Sequence, residues 1–262
     1  MADGSLAAAV AAAYRRAFRP PFEIPLALAA NAALMTAAWF LLPPRAHDWL
    51  FTLHGPLAFP VVMASWMLGD TPSTNVAGLD RQNALAALDD PRSFRLWLAA
   101  RSIVLSSLVG VPCAIIALVM GYQGQPAAKV AAACAVIAIL PAGILPVASW
   151  IGLLLPYHPR PLGWRWQHRT EWRRIVRWVV LLLAPFVVVP VVAALIVGPS
   201  LLLARGLGAP AVPLTSARFV LVATCICVTA IVIGWIGLQV ASALRSRRHD
   251  HLSRYLLDPE AH

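Results

Sequence analysis

Asp70-Thr-Pro-Ser-Thr-Asn75-Val-Ala-Gly78-Leu-Asp80-Arg81-Gln82-Asn-Ala-Leu85-Ala-Ala-Leu88-Asp89-Asp90-Pro91-Arg92-Ser-Phe-Arg95-Leu96-Trp-Leu-Ala-Ala-Arg101 is the longest polar interruption between two strongly apolar runs. Its pattern reads as structure. Asp80 stands where it can cap a short helix that Asp90-Pro91 ends. Asp90 can then cap a second helix with Pro91 at its first position, where a missing N–H costs nothing. A helix–turn–helix placed between two greasy runs is expected to touch something in the water.

The surrounding chain defines those runs. Of 262 residues, 60% are hydrophobic and 12% charged, with a mean hydropathy of +0.74. Soluble chains carry about a quarter charged residues. This deficit of charge, with repeated apolar runs of about 20 residues, specifies an all-α polytopic membrane protein. The net charge of +10 does not imply nucleic acid, because the arginines sit at the ends of apolar runs instead of forming one basic face. Cys113, Cys134, Cys225 and Cys227 all fall inside apolar runs, and Cys225-x-Cys227 lacks zinc-site spacing; they are expected to be small core residues.

The hydropathy pattern predicts six spans within a single transmembrane domain over residues 1–262: about 24–42, 49–69, 102–120, 130–155, 178–198 and 219–244. Met1 to Arg19 is Ala-rich and ends in Tyr14, Arg15, Arg16, Phe18 and Arg19. Charge following the apolar stretch is the reverse of a secretory signal, so an amphipathic interfacial helix is expected there, closed by Pro20-Pro21. Glu23, at the membrane edge, is expected to pair with Arg19 or another arginine. Residues 156–174 form an Arg/Trp-rich loop suited to headgroup-level anchoring. Residues 199–210 read either as a re-entrant element or as an extension of the fifth span.

Arginine placement orients the spans. Arg15, Arg16 and Arg19, then Arg81, Arg92, Arg95 and Arg101, then Arg160, Arg165, Arg169, Arg173, Arg174 and Arg177, and finally Arg245, Arg247, Arg248 and Arg254 fall on one side. Only Arg45, Lys129, Arg205 and Arg218 fall on the other. The excess places both termini and the 70–101 segment in the cytosol.

The spans carry almost no ionisable groups. Ion-coupled carriers need such groups at depth, so a transporter powered through this chain alone is not expected. His54 is the one candidate inside a span, and it reads either as a packing residue or as part of a substrate path, with Trp66 and Trp150 as weaker path residues. No phosphate-binding Gly-x-x-x-x-Gly-Lys-Ser/Thr loop is present, nor a Gly-x-Ser-x-Gly elbow or His-Glu-x-x-His pair. The chain is therefore not expected to be an enzyme.

Six spans, an amphipathic lead-in helix and a helix pair after the second span resemble the permease subunits of type-2 ATP-binding-cassette (ABC) exporters. Asn75-x-x-Gly78-x-Asp80-Arg81, Pro91 about ten residues on, and Ala100-Arg101 carry the resemblance most specifically, together with Pro156-Tyr157-x-Pro159. The resemblance implies a cytosolic coupling helix between the second and third spans, here about Asp80 to Asp89, seated in a groove of a separate ABC ATP-binding subunit. Leu79, Leu85 and Leu88 would supply apolar contact to it, with Asp80, Arg81, Asp89 and Asp90 as polar partners. It also implies a second permease subunit, the same or a different chain. ATP and magnesium would be bound by the partner ATPase, leaving this chain without a cofactor, metal or catalytic residue of its own. The location implied is the bacterial inner (plasma) membrane, surrounded by lipid and without nucleic acid. The apolar spans suit a hydrophobic or amphiphilic drug-like or lipid-like cargo. The competing expectation is a membrane-embedded enzyme or assembly factor with its site in the Arg/Trp-rich loop.

Overall fold

The structure is a computed structural model that describes residues 5–20, 22–51, 55–69, 71–122, 124–158, 170–206 and 216–258. Every regular element among them is a helix. In chain order these are α1 (Leu6–Ala17), α2 (Glu23–Leu41), α3 (Pro44–Leu50), α4 (Ala58–Trp66), α5 (Thr71–Thr74), α6 (Val76–Leu79), α7 (Arg81–Leu88), α8 (Pro91–Tyr122), α9 (Ala127–Leu154), α10 (Trp172–Gly206) and α11 (Ser216–Leu257).

Among the described residues, five helices are long and apolar enough to cross a membrane: Glu23–Leu41, Pro91–Tyr122, Ala127–Leu154, Ile175–Gly206 and Ala217–Leu257. The sequence predicts six. The difference lies at 49–69, which is not one helix. Gly55 adopts a φ of +104°, a conformation that interrupts any helix, and Pro56 follows it. The helix that re-forms, α4, has 9 residues, or about 14 Å at 1.5 Å per residue, half the thickness of a hydrocarbon core. The chain nevertheless keeps going in one direction. Leu57 packs beside Gly121 and Val130, near one end of α8 and α9, whereas the Thr74 carbonyl touches Gly152, near the other end of α9. Val130 and Gly152 are about 33 Å apart along that helix. Residues 57–69 and 71–74 thus lie along α9 from one end to the other, in separate short helices.

Two further expectations change. Residues 199–206 continue α10 without a break, so the extension reading describes them and the re-entrant one does not; residues 207–215 lie outside the described part. The third span is also not separate from the polar segment before it. α8 begins at Pro91 and runs unbroken for 32 residues, through Arg101 and into the apolar run.

α9 is the hub, buried along much of its length, with α4, α5, α6, α8, α10 and α11 all packed on it. Its closest partner is α11, and small residues allow the approach. A Cβ added at Gly143 would lie 2.7 Å from the Ala230 carbonyl oxygen, and one at Gly234 would overlap the Ala142 carbonyl oxygen. Dispersion across such close backbones holds helices together where lipid removes the hydrophobic drive. Between α10 and α11, the fully buried Ser200 donates to Thr229 Oγ1 at 3.0 Å.

The outer faces remain apolar: Leu183, Val187, Val191, Leu195 and Leu202 of α10 and Val228, Ile231 and Trp235 of α11 are each more than half exposed. That much apolar surface suits lipid and not water. Cys113, Cys225 and Cys227 are buried and Cys134 half-buried, all unpaired, as expected of core residues.

Among the described residues the helices enclose two main cores, besides a small cluster of Ala204 and Cys225. The larger runs through the apolar spans, with Met35, Val109, Cys113, Ile144 and Ile196 among its buried members. A smaller one lies where the arginines gather, built from Val76, Ala77, Ala84, Ala87, Leu88, Phe94, Trp97, Leu98, Leu153, Ala241, Leu252 and Leu256. α1 packs along α8, its Ser5 cap accepting from the Ala8 N–H at 3.3 Å, with the Tyr14 hydroxyl against Ser107.

Candidate functional site

The second core is the heart of the segment that the sequence marks as special. Residues 72–78 are buried throughout although Ser73, Thr74 and Asn75 are polar. Asn75 shows how that is tolerated. Its amide nitrogen donates to the Tyr157 carbonyl oxygen at 2.7 Å, and its amide oxygen accepts from the Tyr157 N–H at 3.3 Å. One side chain therefore satisfies both polar groups of a residue in the chain that leaves α9. Gly78 lies against the same carbonyl, and a Cβ there would overlap it. The Asn75-x-x-Gly78 and Pro156-Tyr157 motifs, 82 residues apart, are two halves of one contact.

Asp80 departs from its expected role. It occupies the position before α7, but its carboxylate makes no cap hydrogen bond to that helix. Instead it is 4% exposed and faces inward. It accepts from Asn83 Nδ2 at 2.9 Å and from the Trp97 indole N–H at 3.2 Å. Arg101 Nη1 approaches it to 3.7 Å and Arg16 Nε to 3.8 Å. Burial among donors outcompetes capping, because a carboxylate cut off from water must find several partners. Asp90 behaves as expected. It caps α8 by accepting from the N–H groups of Arg92 at 3.1 Å and Ser93 at 2.8 Å. The hydrogen bonds from the Ser93 side chain and backbone hold its carboxyl below the usual aspartate range.

Basic side chains tie the surrounding helix ends to this unit. Arg81 Nη2 donates to the Leu257 carbonyl oxygen at 2.5 Å, Arg245 Nη1 to Leu88 at 2.7 Å and Arg248 Nη1 to Leu154 at 2.9 Å. Each cation meets unpaired carbonyls in the last turn of a helix, at the negative end of its dipole. α11 bends at Arg248, whose φ of −119° and ψ of 15° leave the helical range, and this bend aims its last turns at the unit. His158 Nε2 lies 2.8 Å from the Tyr255 carbonyl oxygen, and its ring stacks on the Tyr255 ring at 4.8 Å, with the Arg177 guanidinium on that ring at 5.5 Å. His249 Nε2 bridges to Asp89 Oδ1 at 3.0 Å. Hydrogen bonds to Asp250 and then to Asp89 raise the imidazole above its ordinary range.

No family model, characterised protein or solved structure matches this chain.

Against this geometry the expected coupling residues divide. Leu88 is buried in the second core and Leu85 packs on it half-buried, while Leu79 lines a pocket beside α1. The apolar face expected to meet a partner is thus largely spent inside the chain. Asp80 is buried and Arg81 is committed to Leu257. Asp89 and Asp90 are exposed. With Gln82 and Ala86, also exposed, Asp89 forms a stripe at helical spacing along the outer face of α7.

The two described path residues meet different helices. His54 lies outside the described residues. Trp66 meets Phe186 of α10 edge-on at 6.1 Å, whereas Trp150 donates to the Gly237 carbonyl of α11 at 2.9 Å. The Arg/Trp-rich loop of the competing expectation also falls outside the described residues at 159–169. Trp97 was not singled out by the sequence, and Arg16, Arg101, Arg245 and Arg248 were read there as topology or motif positions without the internal contacts they make. Trp97 and Arg101, four apart on α8, share one face toward Asp80, a spacing visible in the sequence only once Asp80 is known to point inward.

Proposed function

We propose that this chain is the membrane-spanning permease subunit of an ATP-driven exporter, with residues 71–101 as the place where a separate ABC-type ATPase acts on it. One observation carries the reading. The segment is packed to the ends of α1, α9 and α11 through Asp80, Asn75, Arg81 and Arg245. A push on α7 is therefore passed to most of the bundle and not absorbed by a loop.

In this reading, the arginine-rich end and both termini are cytosolic, and the broken 57–74 stretch is the sixth crossing. Two permease subunits face one another and enclose the path. ATP binding by the partner shifts that path between inward- and outward-facing states, moving a hydrophobic or amphiphilic cargo. The docking edge is narrower than the resemblance implies, namely Gln82, Ala86, Asp89 and the Asp90–Arg92 turn.

Co-purification with a candidate ATP-binding subunit tests this. Gln82→Arg with Ala86→Arg changes only exposed positions that hold no ion pair, so folding should survive. The pair is expected to abolish recovery of the ATPase and stimulation of its turnover. Unchanged complex and turnover would remove the coupling assignment.

A further inference from the structure

A pocket of about 40 Å³ opens between the end of α1 and the start of α2, lined by Arg16, Ala17, Arg19, Pro20, Glu23, Ile24, Leu79 and Arg101. By the ~10–15 Å³ that one water needs, it has room for about three waters, the scale of a phosphate group.

Its charges do not balance. Arg16, Arg19 and Arg101 contribute three guanidinium groups, whereas Glu23 in the wall and Asp80 behind it contribute two carboxylates. Arg101 is the least satisfied. It is 6% exposed, its approach to Asp80 at 3.7 Å exceeds a hydrogen bond, and Nε and Nη2 have no partner. A buried guanidinium with unpaired N–H groups is expensive, and a planar fork of this kind pairs best with a carboxylate or phosphate.

The rim indicates the source of the anion. Phe18 and Phe22, 52% and 46% exposed, flank the pocket on the link between α1 and α2, and Leu26, 62% exposed, follows one turn later. Exposed apolar side chains beside arginines where a hydrophobic helix begins suit the boundary between headgroups and acyl chains.

We infer that this pocket binds the phosphodiester of a membrane phospholipid headgroup, gripped by Arg16, Arg19 and Arg101. The acyl chains then run out past Ile24 and Leu26 along α2. A lipid held here joins α1 to the Asp80 cluster, so it steadies the segment that α7 belongs to. Basic pockets between helices on the cytoplasmic side bind phosphate headgroups in this manner.

Native mass spectrometry of the full-length chain, purified in neutral detergent, reads the binding directly. Dioleoyl phosphatidylglycerol and dioleoyl phosphatidylethanolamine are titrated against dioleoylglycerol, which has the same tails and no phosphate, and against inorganic phosphate. Both phospholipids are expected to add one tight copy, with neither control displacing it. Arg19→Ala, at an exposed position that should leave the fold intact, is expected to weaken that copy roughly fivefold. Arg92→Ala, the same charge change outside the pocket, should leave it unaltered. Arg101→Lys, which keeps the charge but loses the fork, should weaken it as well. Equal binding of dioleoylglycerol, or full affinity in Arg19→Ala, overturns the site. Displacement of phospholipid by equimolar inorganic phosphate overturns the headgroup as its ligand, leaving a free-anion site.

Discussion

Removing the carboxylate of Asp80 should unsettle the chain more than any change on the outer face of α7. Asp80→Ala deletes the acceptor for the Trp97 indole at 3.2 Å and for Asn83 at 2.9 Å, and leaves buried Arg101 without its counter-charge. Stranding one member of a buried ion pair costs about 3–5 kcal/mol. The 3.7 Å separation from Arg101 argues for the lower end, and Arg16, 45% exposed, adds almost nothing because water screens it. A loss of about 3 kcal/mol follows. Asp80→Asn keeps one acceptor oxygen and should lose about 2 kcal/mol. Combining Asp80→Ala with Arg101→Met removes the stranded charge, so the double variant should be at least as stable as Asp80→Ala alone, a coupling of about 1–3 kcal/mol. Reversible unfolding in detergent micelles, followed by tryptophan fluorescence, provides the measurement. If Asp80→Ala stays within about 0.5 kcal/mol of the parent, or the two changes simply add, Asp80 is not an internal counter-ion and the reasoning collapses.

Further outcomes concern the glycines and the His249–Asp89 bridge. Gly78→Ala drives a methyl into the Tyr157 carbonyl and the Asn75 amide, neither of which is free to move, and should destabilise by about 1–3 kcal/mol. Gly198→Ala, in open space within α10, should stabilise by about 0.5–1 kcal/mol in the same assay, and similar values at both sites would contradict the packing described. The His249–Asp89 bridge should respond to pH. Because the imidazole is raised above its ordinary value near 6.5, its contribution is fully present below that pH and is lost as pH rises through the raised value. A thermal midpoint that falls over this window in the parent, but not in His249→Gln, is the expected pattern. Parallel curves would show the bridge to be inert.

The helical class was legible because apolar run length and charge deficit are properties of the chain itself. Asp90-Pro91 was legible for the same reason, since a cap acts over three residues. Asp80 looked alike on paper, and what redirected it was Trp97 and Arg101 on the next helix, a tertiary effect that local pattern does not contain. The 49–69 run was hydrophobic enough to span, but hydropathy is blind to the positive φ of Gly55. Arg245 and Arg248 read as topology signals, and topology explains their side of the bundle. It does not explain why each ends on a particular carbonyl, Leu88 or Leu154, which is set by the bend in α11. The thin apolar face of α7 was visible as an alanine-rich stretch, yet whether it met a partner or the chain itself depended on where Leu252 and Leu256 returned.

The continuity of α8 has a mechanical consequence. A helix that starts at the Asp90 cap and ends at Tyr122 is one continuous beam, with Trp97 and Arg101 fastened near its foot and Pro112 part-way up, where one backbone hydrogen bond is lost. From Arg101 to Tyr122 it extends about 32 Å, so a 10° tilt about Arg101 swings the far end by roughly 5–6 Å. That is a whole helical turn gained from a movement of roughly 2–3 Å at Pro91, beneath the pivot. The beam also carries α1 on its flank, so the swing would drag the amino-terminal helix with it. A pair of spin labels at Val119 and Ile103 would report rigidity across Pro112 as one fixed distance, while the distance from Val119 to α10 would vary.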